Sequence, residues 1–172
     1  MLQLIHEIKQ LKGNSKGIIF ICAFRTSNFF TKTRSLKIFG FPIRIVYKIL
    51  FQWVLGIDID DTTKIGFGFN VYHGQSLIIN SGTIIGRNVI IRHNTTIGIA
   101  KEGGNCPIIG DNVTIGANTV VIGDIKIGNN SIIGAGSVVI RDVPEYTVVA
   151  GNPAKIISTI YEITMISNHK LE

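Results

Sequence analysis

The side chains best suited to proton or group transfer are two histidines twenty residues apart, His73 and His93, and two isolated cysteines, Cys22 and Cys106. Imidazole titrates near neutrality, so a positioned histidine can take the proton of a weakly nucleophilic hydroxyl while that oxygen attacks an electrophile. A thiolate is itself a nucleophile, but only where its pKa is lowered, and no base is evidently reserved for Cys106. A catalytic zinc centre built on histidines needs three of them, and the central region offers only His73 and His93. The wide cysteine separation suits small buried hydrophobes in a reducing compartment better than a disulfide framework.

The elements that must position these groups are announced by a period. From Ile57 onward an aliphatic residue returns every six positions, first as Ile59, Ile65, Val71 and Leu77. After a two-residue slip it resumes as Ile85, Ile91 and Ile97, and it continues at Ile109, Ile115, Val121, Ile127, Ile133 and Val139. Neither an α-helix nor a simple hairpin has this period. A flat strand of about four residues and a two-residue corner use about six, and three such sides close a triangular coil. Stacked coils pile the register aliphatics into apolar columns, and each coil pairs its backbone with the coils above and below. Smaller groups two residues before a register position, such as Val89, Thr95, Val113, Thr119, Ser131 and Ser137, relieve crowding near the axis, with Ile125 as the large exception. Asn88, Asn112, Asn118 and Asn130 fall at corners, where a left-handed backbone is tolerated best by asparagine. On this register His73 and His93 each follow a register residue by two, so they occupy the same corner of adjacent coils and point outward. A hexapeptide array alone would serve equally as a non-catalytic trimeric scaffold.

Only 16% of residues are charged and 19 are glycine, which argues against a helical bundle and against a disordered chain. Residues 1–55 hold nine Lys or Arg against the single acid Glu7, a net +8, and the remainder sums to −2. That basic segment suits a phospholipid surface or an anionic substrate handle, and equally a solvated helical face. Two helices are predicted in it, one carrying Leu4, Ile8 and Leu11, the other Val46, Ile49, Leu50 and Trp53 after Pro42. Gly13-Asn14-Ser15 and Thr26-Ser27-Asn28 read as turns or caps, and Phe29, Phe30, Phe39 and Phe41 are expected to supply apolar contacts. Glu7, Lys9 and Lys12 interrupt any secretory signal, and Gly17–Phe24 is too short to span a bilayer, so a cytoplasmic location is expected. The predicted divisions are a helical segment at 1–55, a β-helix at 56–155 and a tail at 156–172 whose form is open between strand and helix.

From Gly56 to Ile156 the sequence resembles the serine acetyltransferase branch of the hexapeptide-repeat acyltransferases. The resemblance rests on Gly56-Ile57-Asp58-Ile59, Lys64-Ile65-Gly66, the segment around His73, Ile109-Gly110-Asp111-Asn112-Val113, Ile133-Gly134-Ala135-Gly136-Ser137-Val138-Val139 and Ala150-Gly151-Asn152-Pro153-Ala154-Lys155, in that order. It implies a left-handed parallel β-helix with an N-terminal helical segment, a homotrimer with grooves shared between subunits, acetyl-CoA as co-substrate and no metal. It also implies His73 as the base that deprotonates the acceptor hydroxyl and Asp58 as the carboxylate that orients it. Ala117, Ala135, Ser137, Arg141, Gly151, Pro153 and Lys155 correspond to the part of the family that binds coenzyme A. A carbonic anhydrase built on a similar β-helix would need a third histidine.

The chain departs from the serine enzymes in the loop over the acceptor, which here reads Gly104-Asn105-Cys106-Pro107 and lacks the basic residue and histidine found there. Tyr72 stands where those enzymes place an acid beside the base. Loss of the charges that read a zwitterion suits a neutral polyol, held by hydrogen bonds and aromatic faces. The expected acceptor site is therefore His93, Tyr72, Asn105 and Cys106, and the expected acceptor a saccharide hydroxyl, small or lipid-linked, of the kind used in surface polysaccharide synthesis. L-Serine is the alternative acceptor. Direct transfer is expected over an acetyl-cysteine at Cys106, and no nucleic-acid partner is expected.

Overall fold

The computed structural model describes residues 2–161. The six-residue repeat closes a three-sided coil, and five coils stack into a prism. The first contains β1 (Ile57–Ile59), β2 (Lys64–Ile65) and β3 (Asn70–Tyr72), and the second β4 (Leu77–Ile79), β5 (Ile84–Ile85) and β6 (Ile90–Arg92). The third contains β7 (Thr96–Gly98), β8 (Ile108–Ile109) and β9 (Thr114–Ile115). The fourth contains β10 (Val120–Ile122), β11 (Lys126–Ile127) and β12 (Ile132–Ile133). The last has β13 (Val138–Val139), a bridge from Val143 to Ile127, and β14 (Thr147–Gly151), on which β15 (Ala154–Thr159) folds back antiparallel. Face one is β1-β4-β7-β10-β13, face two β2-β5-β8-β11, and face three β3-β6-β9-β12-β14-β15. Every pairing between coils is parallel. The tail therefore begins as strand, and the rest of it, 162–172, lies outside the described residues.

Each face contributes one column to the core. On face one the column is Ile59, Ile79, Ile97, Val121 and Val139, and all five are buried. This corrects the slip. Leu77 pairs with Ile57, and Ile79 is the register partner of Ile59, so the two extra residues lie in the corner at 73–76 rather than after Leu77. Both Leu77 and Ile79 point inward because strand side chains alternate, with exposed Ile78 between them. Thr119, Ser131 and Ser137 are buried near the corners, each hydroxyl donating to the carbonyl three residues earlier. Asn88, Asn112, Asn118 and Asn130 have φ of 55–58° as expected of asparagine corners, and Asn94 joins them at 54°. Their amides form ladders from Asn88 to Asn112 to Asn130 and from Asn94 to Asn118.

Five helices precede the coils: α1 (Leu2–Gln10), α2 (Ser15–Phe29), α3 (Arg34–Phe39), α4 (Phe41–Tyr47) and the π-helical α5 (Lys48–Val54). Asn14 caps α2 by accepting from the Gly17 N–H, as its residue type suggests. Thr26-Ser27-Asn28, expected as a turn, continues α2, because Ser27 and Asn28 find partners in Asp61 instead of capping the local backbone. The apolar run at Gly17–Phe24 lies in α2, and Phe20, Ile21 and Phe24 from it are packed against Phe51 and Phe69 of the core.

These helices close the open end of the prism. The first coil has no coil beneath it, so its outward backbone groups need other partners. Tyr47 donates to the Ile59 carbonyl, Arg25 to those of Ile65 and Gly66, and Asn14 to that of Val71, which serves each of the three faces. Glu7 accepts from the Gly68 and Phe69 N–H groups and pairs in two-pronged fashion with Arg25. Arg44 makes the same kind of pair with fully buried Asp61, and that hydrogen bond raises the guanidinium's already high pKa. Lys48 pairs with Asp60, whose carboxyl sits at about 2: partial burial opposes this, and the Thr62 hydroxyl, the Thr62 N–H and Lys48 outweigh it. Burial, together with the Glu7 carboxylate, pushes the Cys22 thiol upward, so Cys22 is a packing residue rather than a reactive one.

The polar demand of that open end also overturns the expected orientation of the last two helices. Arg44, Tyr47, Lys48 and Phe51 face the coil, so Val46, Ile49, Leu50 and Trp53 point outward. Phe39 and Phe41, expected as contacts, are exposed too.

Candidate functional site

The corner between faces three and one carries the groups expected to do chemistry. Val71, Ile91, Ile115, Ile133 and Val149 are successive register partners on face three. The residue two positions after each is His73, His93, Ala117, Ala135 or Gly151, and these form a single column along one edge of the prism. Backbone bonds tie it together: Asn94 N–H donates to the Gln75 carbonyl, Asn118 N–H to that of His93 and Gly136 N–H to that of Ala117. At a coil spacing of about 4.8 Å the column runs roughly 19 Å from His73 to Gly151. The ring centroids of His73 and His93 are 5.8 Å apart, edge to face, as the shared corner requires. Sequence reasoning found the two histidines but not the whole column, because the repeat lengths above them are uneven. The loop between β7 and β8 adds six residues, and the last coil is two short.

His73 has φ of 67°, in the left-handed region. Among the described residues, five of the eight non-glycine residues in that region are asparagines; His73, Ser76 and Tyr146 are the others. His73 is thus one of three residues other than asparagine and glycine held in this region, and a left-handed backbone at a non-glycine residue carries a cost of the kind found at functional sites. Its side chain is exposed at the mouth of a cavity of about 260 Å³ lined by Lys16, Ile19, Val54, Leu55, Ile57 and Gln75. His93 is half-buried, and its Nδ1 is buried without a hydrogen-bond partner. Tyr72 lies beside His73 under the guanidinium of Arg92, whose Cζ is 5.6 Å from the ring centroid. Gly74, at φ 58°, completes the turn under His73, and a Cβ there would lie 2.8 Å from Ile57 Cδ1 and 3.1 Å from Val71 Cγ1. Gly74→Ala is expected to cost about 1–2 kcal/mol for the left-handed backbone, read as a lower urea midpoint, and to lower turnover by shifting His73.

Other expected site residues are spread out. Asp58 projects from face one into a groove of about 460 Å³ shared with Gln52, Asn80 and Thr96, and it makes no hydrogen bond or ion pair with His73 among the described residues. Asn105 and Cys106 lie in the loop between β7 and β8, at the opposite edge of face one, where the Asn105 amide donates to Asp124 at 2.9 Å. Within one chain they do not meet the histidines. Cys106 is half-buried, with its Sγ 3.0 Å from where a Cβ on Gly82 would stand.

Ser137, expected to reach a ligand, is buried: its hydroxyl donates to the Gly134 carbonyl and accepts from the Gly151 N–H, so it fixes the turn above it instead. Gly151, with φ of 104°, and Pro153, after a cis peptide bond, shape the hairpin into β15, which carries exposed Lys155. Arg141 is also exposed, and neither cation is ion-paired among the described residues. No three His, Cys, Asp or Glu side chains gather into a metal-ligand set among those residues.

A triangular parallel β-helix with histidines at one edge and a glycine-proline hairpin ending the same column defines the hexapeptide acyltransferase architecture, and comparison with known proteins agrees. The family described as bacterial transferase hexapeptide (six repeats) matches residues 106–141. The Escherichia coli (strain K12) protein named "Putative colanic acid biosynthesis acetyltransferase WcaB" is 33% identical over 157 residues, covering 87% of this chain and 97% of that one. Serine acetyltransferase 4 of Arabidopsis thaliana is 37% identical over 150 residues, 86% of this chain and 41% of the plant protein. Among solved structures, soybean serine acetyltransferase superposes with a TM-score of 0.77 at 29% identity, covering 90% of this chain and 67% of that one. Serine acetyltransferase from Brucella abortus strain S19, solved in complex with coenzyme A, also gives 0.77, at 28% identity and with 91% and 66% covered. The chain therefore belongs to the hexapeptide-repeat transferase family, with the left-handed β-helix of the serine acetyltransferases. It is an acetyltransferase of the serine acetyltransferase and WcaB type.

Proposed function

We propose that this enzyme transfers the acetyl group of acetyl-CoA to a saccharide hydroxyl in surface polysaccharide biosynthesis, with His73 as the general base. The observation that carries the reading is the left-handed His73 at the foot of a column that rises through His93 to the small residues Ala117 and Ala135 and ends in the Gly151 hairpin. An extended thioester arm suits such a column, since Ala117, Ala135 and Gly151 permit close approach, and Arg141 and Lys155 are exposed cations suited to phosphates. In the proposed step His73 takes the hydroxyl proton as the acceptor oxygen attacks the thioester carbonyl. The tetrahedral intermediate then expels the coenzyme thiolate, which recovers the proton from the imidazolium. His93, with an unpartnered Nδ1, and Tyr72 are proposed to hold the acceptor.

Asn105 and Cys106 stand too far around the prism to join them from the same chain, which favours a homotrimer in which a neighbouring copy supplies the loop. Asp58 is proposed as the carboxylate that orients His73. No helix among the described residues is long and apolar enough to cross a membrane, and the enzyme is proposed to work in the cytoplasm, peripheral to the membrane.

L-Serine is the second reading, favoured by the solved structures that resemble this chain. Thiol release from acetyl-CoA, measured with a panel of saccharides and with L-serine, tests the choice. A saccharide is expected to give a kcat/KM at least roughly 10²-fold above that of L-serine, because neutral Asn105 and Tyr72 leave a zwitterion's charges unpaired. The opposite ranking would establish the serine reading.

A further inference from the structure

The continuous helical stretch α4–α5 is amphipathic the wrong way round for a water-soluble surface. Its inner face holds Arg44, Tyr47 and Lys48, engaged with Asp61, the Ile59 carbonyl and Asp60. Its outer face presents Phe41, Val46, Ile49, Leu50 and Trp53, the last 85% exposed. Next to it, α3 is six residues long and buries none of them, and Phe39 is 81% exposed. So short a helix is unstable alone in water, and an apolar strip of this size marks a contact surface.

From residue 8 to residue 57 the chain has nine Lys or Arg and no Asp or Glu. Six of the nine, including Lys32 just before α3 and Arg34 and Lys37 within it, are in no ion pair among the described residues, though the Lys32 Nζ lies 5.6 Å from the Phe29 ring centroid. A two-fold contact through this face would bring two copies of the same basic segment together with no acid of the segment to answer them. An anionic lipid surface satisfies both halves of the pattern, since headgroup phosphates take the cations while aromatic and aliphatic side chains enter the acyl boundary.

We infer that α3, α4 and α5 form a docking face for anionic phospholipid, with Trp53 and Phe39 inserted and Lys32, Arg34 and Lys37 on the headgroups. This deepens the peripheral placement proposed above, and lipid binding is read without any acceptor, so a wrong acceptor assignment would leave the result untouched.

The test is sedimentation of the full-length protein with vesicles of phosphatidylcholine, alone or mixed with phosphatidylglycerol, combined with the emission of Trp53, the chain's single tryptophan. The mixed vesicles are expected to bind, with a blue shift and acrylamide protection of Trp53, and binding is expected to weaken as salt is raised. The triple charge reversal K32E/R34E/K37E should lower partition on the order of a hundredfold, and all three side chains are exposed, so folding is spared. No binding to the mixed vesicles, or binding indifferent to lipid charge, would overturn the inference. So would a Trp53 already blue-shifted and shielded from acrylamide without vesicles, which would mean that a second copy covers the face.

Discussion

His73→Asn is expected to lower kcat for acetyl transfer by roughly 10²–10⁴-fold, the usual worth of a general base, with the fold intact. Asparagine is the informative replacement because it already occupies five left-handed corners of this prism, so the backbone at position 73 keeps its φ of 67°. An amide has no basic nitrogen, so proton removal is the function lost. Alanine would confound the test by adding left-handed strain to the loss of the base. Turnover within a factor of about two of the parent, with unchanged thermal unfolding, would remove His73 from the mechanism. The matching change His93→Asn is a weaker perturbation and should act mainly on the KM for the acceptor, because His93 is proposed to hold that substrate rather than take its proton.

Arg25→Ala should cost about 3–5 kcal/mol of stability, the range for stranding one member of a buried ion pair. Its guanidinium meets both oxygens of Glu7, which is 1% exposed, and also covers the Ile65 and Gly66 carbonyls at the open end of face two. Removing it leaves a buried carboxylate without its counter-charge. Two carbonyls lose their partner as well. The double change E7Q/R25A should recover part of the loss, since the stranded charge is then gone, and the non-additivity in a denaturant series measures the coupling. Additive costs for the two single changes would show that Glu7 and Arg25 act independently and that the end cap described above is wrong.

The end cap also explains where sequence reasoning lost its hold. Period counting places apolar residues on a helix face but assumes that this face is buried, which fails for Val46, Ile49, Leu50 and Trp53. The deciding constraint lay elsewhere in the chain, in unpaired backbone groups of the first coil that drew Arg44, Tyr47 and Lys48 inward. Glu7 and Asp61 showed no local signal of their importance for the same reason, because their partners are 18 and 17 residues away or farther.

The coils were legible because their constraint is local and repeats. A buried aliphatic every six residues, asparagine at corners and small groups near the axis each follow from strand rise, pleat and left-handed sterics, which act within a few residues. The shared corner of His73 and His93 followed from the same count. What only the folded molecule decided is the set of long-range relations. The slip falls at 73–76, Ser137 turns inward, and the histidines continue through Ala117 and Ala135 to Gly151 as one column. Position along a strand is fixed by neighbours in sequence, whereas which edge a residue joins depends on the summed length of every loop before it, and the insertion between β7 and β8 changes that sum.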